Sequence, residues 1–198
     1  MNDEHGHDPD QHHDHDHHHD HDHGHDHALI VGNLPEGDWQ VDPHGSEVLV
    51  KARAFGVLPV TGIFEDFTGG MAVDATGSVS GRLVIATASV NTGWARRDAR
   101  LRGPEYLAAD SYPEMIFTLG KIEPSGSEHQ YLSGSLQVHE QPVPLSFPVY
   151  AIAHGDHLHL EGEVDVDLDH DLAELGWSKP FFIGNRLRLE TALTLIRG

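Results

Sequence analysis

From residue 39 onward the apolar side chains keep falling at every second position. Val48, Val50, Ala52 and Ala54 alternate with Glu47, Leu49, Lys51 and Arg53. Leu83, Ile85, Thr87 and Ser89 alternate with Arg82, Val84, Ala86 and Ala88. Val164, Val166 and Leu168 alternate with Asp165, Asp167 and Asp169, and Leu187, Leu189 and Thr191 with Arg186, Arg188 and Glu190 in a run reaching Ile196. A period of two describes strands with one buried and one wet face. Gly or Pro clusters at Gly69-Gly70, Pro124–Gly126, His154–Asp156 and Gly184 separate the runs at hairpin spacing. About eight such strands predict a mainly β fold, an antiparallel barrel that is closed or nearly so. The inner row of such a barrel either packs a core or lines a cavity, and alternation alone does not choose. Residues 91–111 break the pattern: they are rich in Arg, Ala and Leu, and Pro104 is placed to begin a helical turn, so a short helical insertion is expected there.

The first 27 residues cannot join this fold. They carry 12 of the chain's 19 histidines, nine acids, no Lys or Arg, and nothing apolar beyond Met1. With nothing to bury, they cannot offset the entropy cost of ordering, and a disordered tail is expected. His5, His7, His12, His13, His15, His17, His18, His19, His21, His23, His25 and His27 are its candidate metal ligands. Imidazole interleaved with carboxylate suits Zn, Ni, Cu or Co ions, with Asp either ligating directly or accepting a ring N–H. The plainer reading is a solubilising acidic tail whose metal affinity is accidental. Residues 28–38, broken by Gly32, Pro35 and Gly37, read as a linker, and 39–198 as one domain. The tail has neither the basic start nor the apolar stretch of an export signal, so a cytoplasmic location is expected.

Composition removes several function classes. A formal net charge of −20 argues against nucleic acid and against anionic membrane surfaces. With no Cys there are no disulfides, thiolate metal sites or cysteine nucleophiles. No apolar run approaches the ~20 residues of a membrane-spanning helix. Catalytic and phosphate-loop signatures are absent. Asp165, Asp167 and Asp169 imitate the opening of a calcium loop, but His170 stands where Gly is required and Gly176 where Glu is required. A wet strand face explains those three acids more simply. His154, His157 and His159, near Asp156, read as exposed residues on a hairpin rather than as a metal site.

Three blocks carry a family resemblance: Ser89-Val90-Asn91-Thr92-Gly93, then Arg97-Asp98-Ala99-Arg100-Leu101-Arg102, then Tyr112-Pro113-Glu114-Met115-Ile116-Phe117. Together with Trp39–His44 and Gly56–Phe64 upstream, they resemble the YceI-like family over residues 39–198. The resemblance implies an extended, lipocalin-like antiparallel barrel with a helical insertion, binding a polyisoprenoid-type or other amphipathic lipid. It is compatible with a homodimer and requires neither a cofactor nor catalysis. Candidate ligand-binding positions are Phe55, Phe64, Phe67, Val84, Trp94, Leu101, Tyr106, Phe117 and Tyr150 as walls, with Asn91, Arg97, Asp98 and Arg102 in the matching motif. An aromatic on a strand is more often core than binding wall. For the motif the preferred expectation is structural: Asp98 pairs with Arg and caps the insertion. Two functions therefore compete. One is a non-catalytic lipid carrier with a metal-binding tail; the other is a metal-storage or metal-delivery protein in which the barrel is only a scaffold.

Overall fold

The computed structural model describes residues 34–125, 129–168 and 183–198. The histidine tail, with all twelve of its candidate ligands, lies outside the described residues, as does the linker up to residue 33. Eleven strand segments form one antiparallel sheet. In chain order they are β1 (Gly37–Val41), β2 (Glu47–Ala54), β3 (Leu58–Phe64), β4 (Phe67–Val73), β5 (Val79–Ala86) and β6 (Val90–Asn91). A helix α1 (Ala95–Arg102) follows, then β7 (Glu114–Ser125), β8 (His129–Val138), β9 (Gln141–His154), β10 (His157–Asp167) and β11 (Ile183–Arg197).

The eleven segments make a closed barrel of eight strands, because three barrel strands are each broken in two. β1 and β2 flank a 3-10 turn at Pro43–Gly45, where the Asp42 carboxylate accepts the His44 N–H at 3.0 Å. β3 and β4 are parted by Glu65 and Asp66, and β5 and β6 by a 3-10 turn at Thr87–Ser89. The pairing carries on across the first two breaks, with Gln40 opposite Gly70 on one side and Leu49 opposite Ile63 on the other. β11 then closes the ring, pairing with β1 at Trp39↔Arg197 and with β2 at Val50↔Leu189. Closure pairs the strand edges around the ring except where β9 and β10 part over Gln141–Pro148. The alternation from Leu83 to Ser89 is strand only as far as Ala86. Beyond it the chain turns a corner, and the Ser89 hydroxyl donates to the Ala86 carbonyl at 2.7 Å.

Polar residues outside the barrel hold turns and ladders. In the β4–β5 turn the Asp74 carboxylate accepts from the Thr76 hydroxyl and from the N–H groups of Thr76 and Ser78, which holds its pKa below the usual carboxylate range. Asp165 faces Arg188 across the β10–β11 ladder and accepts two guanidinium N–H bonds, at 2.8 and 3.1 Å. It is a wet-face ion pair, as the alternation implies; Asp169 lies outside the described residues.

The interior is not uniform. Around Trp39, which is wholly buried, Met71, Val73, Leu158 and Leu195 pack solidly. Arg197 lies 4.8 Å over the indole, and the indole N–H donates to the Pro35 carbonyl at 3.1 Å. This end of the barrel is a plug. A second cluster, including Val48, Phe64, Leu83, Ile85 and Val90, lies toward α1.

Candidate functional site

A cavity of about 880 Å³ occupies the rest of the barrel. It lies near the top of the ~300–1,000 Å³ range of ligand pockets. At roughly 24 cal/mol per Å³ of void, a packing defect that large would exceed the whole stability of an ordinary domain. The space is therefore a built feature. Its walls are the inward rows of the strands: Val50 on β2, Val164 on β10 and Leu189 on β11 face it from one continuous register row. None of Trp39, Leu158 and Leu195 reaches it, so the lumen is blind at the plugged end. β9 and β10 pair only between Val149–His154 and His157–Gly162. Beyond that they part, which widens the lumen. Gly162 stands where they diverge, and a Cβ there would meet the Phe147 ring at 2.9 Å.

Residues that both line the lumen and stand in solvent mark its mouth. Phe55 is 67% exposed, Leu58 57% and Trp94 59%. The opening lies between the tip of the β2–β3 hairpin and the start of α1. β6 pairs antiparallel with β3 (Ile63↔Asn91), so residues 92–96 run back along β3 toward that tip. The hairpin turn is Ala54-Phe55-Gly56-Val57, with Val57 N–H donating to the Ala54 carbonyl at 3.1 Å. Both central residues have positive φ, 52° at Phe55 and 73° at Gly56. Gly takes this conformation freely, but for a bulky side chain it costs roughly 1 kcal/mol or more.

The structure sorts the candidate residues into two groups. Phe55, Phe64, Trp94, Arg97, Leu101, Tyr106 and Phe117 line the lumen. Phe67, Val84, Tyr150, Asn91, Asp98 and Arg102 do not. Phe67 is core, in register with Ile85. Val84 lies between Leu83 and Ile85, both on the wall, so the pleat turns it outward. Tyr150 is 46% exposed between the buried Val149 and Ala151, turned out for the same reason. Much of the wall was not among the candidates, notably Val143, Leu145, Phe147 and Val149 of β9. Their period of two was visible, but Pro142, Pro144 and Pro148 disguised it.

The Asn-Thr-Gly and Arg-Asp motif is a latch holding α1 to the barrel. Asp98 is buried, but it accepts from Thr92, through the backbone N–H at 3.0 Å and through the hydroxyl, and not from an arginine. Nor is it the helix cap, a position that Trp94 occupies without a side-chain bond. Arg97 donates to the Thr92 hydroxyl and carbonyl, both at 2.7 Å, and Arg102 to the Val90 carbonyl at 2.7 Å. Asn91 accepts the Gly93 N–H at 2.8 Å and donates to Glu65 at 2.6 Å. Asp98→Ala strands two donors of Thr92, and a loss of about 2–3 kcal/mol is expected in urea denaturation. Asp98→Asn, which keeps one acceptor, is expected to lose less; equal losses would mean that the bonds to Thr92 are not what holds the latch.

Among the described residues no three His, Asp or Glu side chains converge to hold a metal ion. His154, His157 and His159 sit at the exposed β9–β10 turn, with His159 Nδ1 3.1 Å from the Thr194 hydroxyl. No helix among the described residues is long and apolar enough to cross a membrane.

The family model "YceI-like domain" matches residues 39–195. Protein YceI of Shigella flexneri is 28% identical over 129 residues, covering 63% of this chain and 67% of that protein. A UPF0312 protein of Shewanella oneidensis is 25% identical over 122 residues, covering 60% of this chain and 64% of its own length. Among solved structures, Burkholderia cenocepacia BcnA superposes with a TM-score of 0.68 at 19% identity, covering 78% of this chain and 98% of its own. A polyisoprenoid binding domain from Saccharophagus degradans gives a TM-score of 0.63 at 16% identity, covering 81% and 98%. At these identities the superpositions speak for a shared barrel.

Proposed function

The chain belongs to the YceI-like domain family, and we propose that it is a non-catalytic carrier of an amphipathic lipid with a long apolar chain, of polyisoprenoid type. The observation that carries this reading is the lumen: about 880 Å³, apolar along its strands, blind at Trp39 and open beside Phe55 and Trp94. Burying apolar chain gains about 0.8 kcal/mol per methylene, so about ten carbons give roughly 8 kcal/mol. Association costs about 4–15 kcal/mol, so short-chain molecules are held weakly and long chains are retained. The Saccharophagus domain with the same barrel is described as polyisoprenoid binding, which supports the ligand class.

Native mass spectrometry of the full chain after gentle purification tests the reading. A co-purified long-chain lipid is the expected result. An empty barrel that takes up no long-chain lipid from micelles would overturn it.

The tail supplies a second, separate activity in this proposal: binding divalent transition metals. Its support is compositional, twelve histidines alternating with aspartates in 27 residues. Deleting residues 1–27 is expected to abolish uptake of several Ni or Zn ions per chain while leaving lipid content unchanged. Loss of lipid on that deletion would join the two activities and favour metal delivery as the main role.

A further inference from the structure

We propose that the open end of the barrel docks onto the surface of an anionic lipid bilayer, with the β2–β3 hairpin tip and Trp94 entering the interface and Arg96 and Arg100 of α1 meeting lipid phosphates. The apolar part is contiguous in sequence. Phe55, within the two-residue turn, and Val57 and Leu58, just after it, are 67%, 71% and 57% exposed. Trp94, 59% exposed, borders the same opening. These four account for half of the large exposed apolar residues among those described, and three of them line the lumen at its mouth. A water-facing hairpin has no use for Phe at a φ of 52°, where Asn or Gly would sit without strain. Phe55 holds this conformation while 67% exposed beside Val57 and Leu58, an apolar surface that suits an apolar environment outside the barrel. Bilayer interfaces receive Trp and Phe in this manner.

Charge selects the kind of bilayer. Of the charged residues on the cavity wall, Arg96, Arg97 and Arg100 come from α1, and the acid Glu161 from β10. Arg96 is exposed and makes no ion pair among the described residues; Arg100 lies over the Tyr106 ring at 5.7 Å and 4.0 Å from Glu105. A cationic rim on a chain of net charge −20 is a local reversal of sign. It fits anionic headgroups, held at short range where the acidic remainder of the molecule is screened. The proposal rests on reading the lumen as a lipid site, since docking brings its mouth to the lipid source.

The test is co-sedimentation of the full chain with phosphatidylcholine vesicles, with and without phosphatidylglycerol. Binding is expected to phosphatidylglycerol vesicles and to fall with salt. Val57→Asp, at a position off the lumen wall, is expected to lower partitioning at least tenfold while uptake of a fluorescent fatty acid in vesicle-free solution is unchanged. Phe55→Asn is expected to lower partitioning while leaving thermal stability the same or higher, because it relieves the turn. Ile196→Asp, at an apolar site 39% exposed at the plugged end, is expected to leave partitioning unchanged. A wild-type chain that stays in solution with both vesicle types would overturn the proposal. So would a dimer in wild-type protein that Val57→Asp dissolves with no effect on vesicles, which would assign the patch to a second copy. Failure of fatty-acid uptake with vesicle binding intact would instead strike the carrier reading and leave the docking surface standing.

Discussion

Under the proposed lipid-binding role, Leu189→Trp is expected to empty the lumen without unfolding the barrel. Leu189 sits mid-strand in β11 and faces the lumen in one register row with Val164 and Val50. Enlarging a residue in a packed core forces neighbours off their rotamers. Here the added ring projects into open space, so the barrel should keep its stability to within about 1 kcal/mol. The ligand has no such freedom. An indole across the bore displaces several carbons of a threaded chain at about 0.8 kcal/mol each, so four of them give roughly hundredfold weaker binding. Competition with a fluorescent fatty acid reads the affinity, and urea denaturation reads the stability. Val164→Trp, from the neighbouring strand, is expected to do the same. If both variants bind as wild type while remaining folded, the chain does not pass this row, and the lumen is not the site.

How much of this was legible beforehand divides along physical lines. The eight-strand barrel was, because the strand period is two wherever one face is buried, and a short break does not reset it. Val48 to Ala54 and Leu187 to Thr191 read correctly for that reason. The eleven segments were not, because breaks at Pro43–Gly45 and Thr87–Ser89 depend on where the sheet must turn a corner. β9 carries Pro142, Pro144 and Pro148 within its strand, which weakens its strand signal. Over Gln141–Pro148 it pairs with β8 alone, so a missing N–H breaks no ladder on the other side.

For the site, parity decided more than residue type. Phe117 and Tyr150 are both strand aromatics, yet one lines the lumen and the other faces water. Net charge carries no positional information either. Summed over the chain it argues against anionic surfaces, but a sum is blind to Arg96 and Arg100 standing together at one mouth. Hollowness itself had no sequence signal, since the side chains that surround a void are the same apolar types that would fill it.

Trp39→Ala is expected to be the most destabilising substitution in the barrel. Trp39 lies where the ring closes, on the strand segment that pairs with β11 on one side and β4 on the other. It is wholly buried and packs with Leu158 and Leu195, and Arg197 covers its ring. Replacing so large a buried aromatic by Ala costs about 3–5 kcal/mol. A barrel holding a cavity of about 880 Å³ has less packing to fall back on than a filled one, and ordinary domains have only about 5–15 kcal/mol in all. The melting temperature is expected to fall by roughly 6–20 °C. Trp39→Phe keeps most of the apolar surface and loses the N–H bond to Pro35, so a loss of about 1–2 kcal/mol is expected. The order of the two variants matters as much as their size. A plug acts through volume, so Ala must be far worse than Phe. Should the two fall equally, the Pro35 hydrogen bond would be the main contribution of Trp39, and the blind end of the lumen would be held shut by the chain around residue 35 rather than by the packed indole.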